Sequence, residues 1–321
     1  MRTLLAAGIL VSTLGSALAQ DYPSRPITLV VPFAAGGPTD TVARVTAGAM
    51  SKTLGQSIVI ENVPGAGGTL GAGRVTRAEP DGYSLLIHHV GLATAATLYR
   101  KLAYDTKTAF VPIGLTTDAP MIIVGRSNLE PNSLQELVTY AQARGKNFMF
   151  ASAGLGSASN LCGLMFMAAI KQELSNVPYK GGGPLMNDLI GKQIDLGCEQ
   201  ATTATEPVKG KLIKAYAVTT RTRLASLPEL PTADEAGLKG FEVNVWHGIY
   251  APKGTPAAVI QKLSAALKAA VKDPEVVKRF GDINTVPVSE DRATPEALGE
   301  LLISEIERWE PVIKAANQFA D

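Results

Sequence analysis

Short apolar runs alternate along this chain with longer segments whose apolar residues recur at helical spacing. The run PITLVVPF at 26–33 predicts a buried strand, and TDTVARVTAGAMSKTLG at 39–55 predicts a helix. The alternation continues with the segments SIVIENV, GTLGAGRVTRAEP, YSLLIHHV and GLATAATLY. A β-α-β-α-β order predicts a parallel sheet with helices on its faces, so we expect the fold class to be α/β.

The pattern restarts near residue 120 with a second unit of the same plan. MIIVGR and NFMFASAG predict strands, SLQELVTYAQAR predicts an amphipathic helix, and a small-residue turn at 155–159 leads into another helix. A proline- and glycine-bearing connector at 226–240 precedes the segment FEVNVWHGIYAPKGTP, an amphipathic helix and a last helix. Two similar α/β lobes favour a ligand cleft between them.

The first residues, MRTLLAAGILVSTLGSALAQ, have the three-part plan of a secretory signal peptide. We therefore expect cleavage near Ala19, exclude residues 1–19 from the fold, and place the mature protein in the periplasm. The formal net charge of the whole chain is +1, so composition gives no reason to expect a nucleic-acid partner.

The chain has two cysteines, Cys162 and Cys198. In an exported protein they are able to form a disulfide, and two buried free thiols are the alternative. The spacing contains no C-x-x-C pair, so it supports neither a metal site nor a redox motif.

Two loops that join a strand to a helix are rich in small residues, VPFAAGGPTDT at 31–41 and ASAGLGSAS at 151–159. Small residues let a ligand approach the backbone, and the helix N-terminus that follows offers unpaired N–H groups and a partial positive charge. Such loops favour an anion without a lysine. Ser152, Ser157 and Asn160 are candidate side-chain donors, although Ser157 or Ser159 as a simple helix cap is the alternative.

Other chemistries find less support in the sequence. No G-x-G-x-x-G fingerprint, phosphate loop or G-x-S-x-G elbow is present, so we expect no nucleotide or other cofactor and no enzyme. An exported hydrolase using Ser157 and a histidine remains the rival hypothesis. His88 and His89 face opposite sides of a strand, and His89 is the better candidate to line the cleft.

Longer segments add a resemblance to a known family. YPSRPITLVVPFAAGGPTDTVAR, VIENVPGAGGTLGAGRVTRAEPDGYSLL, VPYKGGGPLMNDLIGKQIDL, LPTADEAG and WHGIYAPKGTP resemble the Bug family, the TctC-like periplasmic receptors of tripartite tricarboxylate transporters. The resemblance covers nearly the whole mature chain. It implies a fold similar to the type II periplasmic binding proteins, with two α/β lobes and a ligand cleft between them.

The resemblance also implies how the chain is divided. Residues 20–120 and 246–321 would form the first lobe, and residues 121–245 the second. Two strands would cross between the lobes near 118–124 and 242–248. The protein would be a monomer that binds a small carboxylate, either a di- or tricarboxylate or an acidic amino acid. It would deliver this ligand to the membrane subunits of a transporter. The alternative is a sensor that acts on a signalling partner.

Carried over by position, the resemblance places the ligand between the two loops and the strands beside them. Asp195 has two interpretations, a cleft residue or a brace for a loop. The ligand-binding residues expected are Phe33, Ala35, Gly36, Gly37, Thr39, His89, Ser152, Gly154, Gly156, Ser157, Asn160, Tyr179 and Asp195.

Overall fold

The strands of both halves of the chain meet in one mixed sheet. A computed structural model describes residues 22–316 and 319–320, and the expected signal peptide lies outside this range. The strands are β1 Ile27–Val31, β2 Ile58–Asn62, β3 Ser84–His89, β4 Phe110–Arg126, β5 Met149–Ser152, β6 Ser175–Pro178, β7 Leu196–Gln200, β8 Ile213–Val218, β9 Asn244–Pro252 and β10 Val286–Pro287. Within the described residues the sheet has these ten strands, in the order β2-β1-β3-β9-β4-β7-β5-β6 with β8 and β10 added on β4.

Helices connect the parallel strands and cover the sheet. The α-helices are α1 Pro38–Leu54, α2 Thr69–Val75, α3 Gly91–Leu98, α4 Leu134–Arg144, α5 Ala158–Ile170, α6 Gly182–Ile190, α7 Ala201–Lys209, α8 Ala257–Lys272, α9 Pro274–Asp282 and α10 Pro295–Ala316. α6, α7 and α9 are additional to the helices that the sequence pattern predicts. None of the helices in the described range is long and apolar enough to span a bilayer.

Two lobes are defined by the strands that pair in parallel. In the first lobe β1 pairs with β2 and β3, and in the second lobe β5 pairs with β6 and β7. Apolar side chains of the strands and of the amphipathic helices form the core, in which Leu29, Leu86 and Phe150 are almost fully buried. The α/β class expected from the alternating pattern is confirmed.

The lobes are joined through β4, a strand of 17 residues. Its first part pairs antiparallel with β9, from Phe110 opposite Pro252 to Pro120 opposite Asn244. From Met121 onward it pairs with β7 and β8 of the second lobe. The chain therefore passes between the lobes at Pro120 and Met121, and the sequence pattern predicted only the later part of this strand.

Candidate functional site

A small cavity lies between the lobes, at the carboxyl ends of β1, β3, β5 and β7. Parallel sheets bind ligands at this edge, because the strand-to-helix loops gather there. The cavity has a volume of about 20 Å³, roughly the space of one water molecule. It is lined by Phe33, Pro38, Thr39, His89, Met121, Ala153, Ser157, Ala158, Ser159, Gly182, Glu199 and Gln200.

The first-lobe loop is braced by the side chain of Asp40. Its Oδ2 accepts a hydrogen bond from the Gly36 N–H at 3.0 Å, and Arg44 and Asn62 donate to the same carboxylate. Burial alone would raise the pKa of Asp40, but the hydrogen bonds from Arg44, Gly36 and Asn62 outweigh it and hold the pKa below its usual value. Asp40 is therefore ionised, and its carboxylate is engaged by the loop, by α1 and by the end of β2.

The second-lobe loop repeats this design. Asn160 Oδ1 accepts from the Gly156 N–H at 3.0 Å, four residues earlier, as Asp40 does from Gly36. Ser157 is the N-cap of α5, and its hydroxyl accepts from the Asn160 N–H. Asn160 and Gly156 thus shape the loop, while Ser157 and Ser159 lie at the cavity.

The electrostatics of the cavity come from helix N-termini. Pro38 and Thr39 belong to the first turn of α1, Ala158 and Ser159 to that of α5, and Gly182 begins α6. The first N–H groups of a helix have no partner within it, and its N-terminus carries a partial positive charge. No lysine or arginine lines the cavity within the residues that the structure describes. The cavity can therefore accept an anion through backbone amides and hydroxyls.

His89 supplies a further neutral donor. The Gly91 N–H donates to His89 Nδ1 at 2.9 Å, so the neutral ring carries its proton on Nε2. The imidazole stacks on Phe33 with ring centroids 4.8 Å apart. Burial lowers the pKa of His89 well below its usual value, helped by His88 and His247. The ring is thus uncharged at neutral pH.

His247 connects the two crossing strands to α1. Its Nε2 lies 3.3 Å from Thr39 Oγ1 and its Nδ1 lies 3.2 Å from Thr117 Oγ1. Burial lowers the pKa of His247 to about 3. This hydrogen-bonded histidine positions Thr39, which lines the cavity.

Two polar residues of the cavity were missed by sequence reasoning, Glu199 and Gln200. They end β7 and are 2% and 4% exposed. The Oε1 atoms of both side chains have no hydrogen-bond partner in the described part of the chain. The available signal was a charged residue at the carboxyl end of a buried parallel strand, in the segment IDLGCEQ.

Several expected residues lie near the cavity without lining it. Gly36 and Ala35 are exposed on the outside of the first loop, whereas Gly37 caps α1 against Gly182 and Gly183 of the second lobe. Ser152 is fully buried beneath the second loop. Gly154 and Tyr179 line an outer opening of about 460 Å³ between the lobes, where the exposed Lys180 also lies.

Asp195 lies at the other end of β7, outside the cavity lining. Its Oδ1 accepts from Arg126 Nε at 2.9 Å, and its Oδ2 accepts from the Met149 N–H. Of the two interpretations of this residue, the structure places it as a brace.

The two cysteines join the elements behind the cavity. Cys162 of α5 and Cys198 of β7 form a disulfide with a Cα–Cα distance of 6.1 Å. Cys198 directly precedes Glu199, and Cys162 lies one turn beyond Ser159. The bond therefore fixes α5 against the strand that carries Glu199.

Direct hydrogen bonds close the cleft around the cavity. Tyr99 Oη donates to the Leu155 carbonyl at 2.9 Å, and Thr94 Oγ1 donates to the Gly156 carbonyl at 3.2 Å. The Ala34 N–H donates to the Lys180 carbonyl at 3.0 Å. These bonds connect first-lobe residues to second-lobe residues, so the lobes are closed on each other.

Two α/β lobes, crossing strands and a closed interlobe cavity define a periplasmic binding protein, a solute receptor rather than an enzyme. Residues 42–318 match the model of the tripartite tricarboxylate transporter family receptor, TctC. The chain belongs to this family.

Named relatives agree with this assignment. A UPF0065 protein of Agrobacterium vitis is 51% identical over 303 residues, which cover 94% of this chain and 88% of that protein. The structure of the periplasmic binding protein BugD is 46% identical with a TM-score of 0.91, covering 94% of this chain and all of BugD. MatC from Rhodopseudomonas palustris, solved with bound malate, is 40% identical with a TM-score of 0.88, covering 91% of this chain and all of MatC. The predicted Bug and TctC resemblance is confirmed.

Proposed function

We propose that this receptor captures a small dicarboxylate between its lobes and delivers it to the membrane subunits of a tripartite transporter. The observation that carries the proposal is the pair of helix N-termini, α1 from one lobe and α5 from the other, at one closed cavity. A ligand with two carboxylates presents one negative group to each of them. The receptor would act as an exported monomer after cleavage near Ala19.

The polar groups of the cavity suit carboxylate oxygens. Thr39, Ser157 and Ser159 offer hydroxyls, His89 offers Nε2–H, and the first turns of α1 and α5 offer backbone N–H groups. All of these donors are neutral, so they bind an anion without an ion pair that must later be broken. Malate bound to MatC, a relative of 40% identity, supports a four-carbon dicarboxylate as the first candidate.

Ligand entry requires the lobes to separate. A cavity of about 20 Å³ holds roughly one water molecule, and three hydrogen bonds cross the cleft beside it. We infer that the open form binds the acid and the lobes then close on it. The closed face is what the membrane subunits would recognise.

Calorimetric titration of succinate, L-malate, citrate and L-aspartate into the mature protein tests the ligand class. We expect succinate and malate to bind with 1:1 stoichiometry. Ser157→Ala, which removes the cap of α5 and a cavity hydroxyl, should weaken binding about tenfold or more. Ser133→Ala removes the equivalent cap of α4 far from the cavity and should leave the affinity unchanged. Absence of binding by every carboxylate would refute the proposal.

A separate measurement distinguishes transport from sensing. Cells that lack this chain should lose uptake of the labelled acid that the receptor binds. Uptake that survives the deletion, together with a lost transcriptional or chemotactic response, would instead identify a sensor.

A further inference from the structure

A carboxyl group lies inside the cavity that the proposed function assigns to an anion. Glu199 is 2% exposed, and its Oε1 has no hydrogen-bond partner within the described residues. It shares the cavity with Thr39, His89, Ser157 and Ser159, whose side chains carry hydroxyl and imidazole groups. An ionised Glu199 would repel a dicarboxylate at this position.

The carboxyl group is packed tightly from the second lobe. A Cβ atom added at Gly182 would lie 2.6 Å from Glu199 Oε2, so the side chain lies against the first turn of α6. The backbone of Glu199 is paired with Ile122 of β4, and the neighbouring disulfide fixes Cys198. The position of Glu199 is therefore set by the sheet and by α6.

Within the part of the chain that the structure describes, no charged side chain pairs with this carboxyl group. On α1, Asp40 is already paired with Arg44; on α5 and β7, Cys162 and Cys198 are in the disulfide. No ionisable side chain from β4 or α6 lines the cavity within the described residues. The remaining titratable side chains near the cavity are neutral imidazoles, which burial keeps uncharged by lowering their pKa: His88, His89 and His247.

We propose that Glu199 binds one carboxylate of the ligand as a neutral carboxylic acid that donates its own proton in a hydrogen bond. The inference rests on the proposed function, because it assigns a residue and a protonation state to the same site. A neutral Glu199 selects for dicarboxylates, because its O–H group donates to a second carboxylate. An ionised Glu199 would instead suit the ammonium group of an amino acid.

Electrostatics support the neutral form. Burial raises the pKa of Glu199 to about 8, against a smaller opposing effect of the Ser159 hydroxyl. An anionic ligand favours the protonated form further. Below pH 8 the acid is already protonated, so affinity should be constant; above pH 8 each bound dianion requires the uptake of one proton, and affinity should fall about tenfold per pH unit.

Titration calorimetry of succinate between pH 6.5 and 9.5 tests this inference. The wild-type dissociation constant should be flat to about pH 8 and then rise, with proton uptake seen at pH 9 in buffers of different ionisation enthalpy. Glu199→Gln keeps an N–H donor, so it should bind within about tenfold of the wild type at pH 7 and show no pH dependence or proton uptake. Glu305→Gln changes a buried glutamate of α10 outside the cavity and should preserve the wild-type profile.

Each other outcome overturns the inference in a recognisable way. A flat wild-type profile with normal succinate binding rejects the neutral acid and leaves the proposed function intact. A preference for L-aspartate that Glu199→Gln abolishes identifies an ionised Glu199 that binds an ammonium group. If the wild type binds no dicarboxylate at any pH, the proposed function fails and the inference fails with it.

Discussion

At the scale of the residue, the two strand-to-helix loops are braced by the same hydrogen bond, made by a different side chain in each loop. Asp40 and Asn160 each accept a hydrogen bond from the N–H four residues earlier, at Gly36 and Gly156. Asp40 carries a charge because Arg44 is present to balance it. Its carboxylate is therefore a brace and not a partner for an ammonium group of the ligand.

Two substitutions of Asp40 distinguish the role of its hydrogen-bond acceptor from the role of its negative charge. Asp40→Asn keeps an oxygen that accepts from the Gly36 N–H, as Asn160 does for Gly156, so we expect succinate affinity within about threefold of the wild type. Asp40→Ala removes the acceptor, frees the loop and should weaken binding about tenfold or more. Titration calorimetry of both variants checks this. Equal binding by the wild type and Asp40→Ala would show that the brace is dispensable.

The lowered pKa of Asp40 should make the stability of the fold depend on pH. The folded-state pKa of Asp40 is lowered, so the ionised side chain stabilises the fold above its unfolded value of 3.8. This contribution is lost as the pH falls through the lower folded-state pKa. The difference in unfolding free energy between the wild type and Asp40→Asn should therefore shrink between pH 6 and pH 3. Urea denaturation at both pH values measures it, and a difference that grows at low pH would contradict the assignment.

The residues that sequence reasoning found are those with a local signal. Thr39 and Ser157 follow glycine-bearing turns at the start of a helix, and His89 ends a buried strand. Glu199 has no such turn, because β7 passes directly from its last residue into α7. Its place in the cavity depends on β7 pairing between β4 and β5, which is a long-range contact that no local pattern encodes.

At the scale of the element, the least predictable segment is the first part of β4. The sequence FVPIGLTTDAP contains two prolines, Pro112 and Pro120, together with a glycine and an aspartate, which argues against a strand. The structure accommodates them through register shifts in the pairing with β9, between Pro112 and Gly114 and between Leu115 and Thr117. Tertiary pairing thus overrides local propensity here.

The disulfide between α5 and β7 should contribute to the stability of the fold. Cys162 and Cys198 are 36 residues apart. Closing a loop of this length lowers the conformational entropy of the unfolded chain, which stabilises the fold by about 4 kcal/mol. The double variant Cys162→Ala/Cys198→Ala should therefore lose about 3 to 4 kcal/mol of stability. Urea denaturation of the oxidised wild type and the variant gives this value. Superimposable transitions would argue that the loop closure contributes nothing.

At the scale of the whole molecule, closure depends on how closely the lobes approach. The outer opening is formed by the glycine-rich segment 65–68 of the first lobe and by the second-lobe loop. A Cβ atom at Gly67 would lie 1.8 Å from the Leu155 carbonyl oxygen, and one at Gly154 would lie 3.3 Å from the Gly67 nitrogen. Backbone therefore packs against backbone across the cleft, and a side chain at Gly67 has no space in the closed form.

Gly67→Ala should consequently leave a folded receptor that cannot close. Gly67 has φ = 60°, so alanine there costs about 1 to 2 kcal/mol of stability, whereas the clash with Leu155 exists only when the lobes are closed. Gly240→Ala is the matched control, because Gly240 has φ = 69° and open space around its Cβ position. We expect both variants to lose similar stability. Only Gly67→Ala should lose succinate affinity, by about tenfold or more. With succinate added, X-ray scattering should show a larger radius of gyration for Gly67→Ala than for the wild type. Full ligand affinity and normal compaction in Gly67→Ala would show that the tight approach at Leu155 is not needed for binding, and that closure is driven by the cavity residues alone.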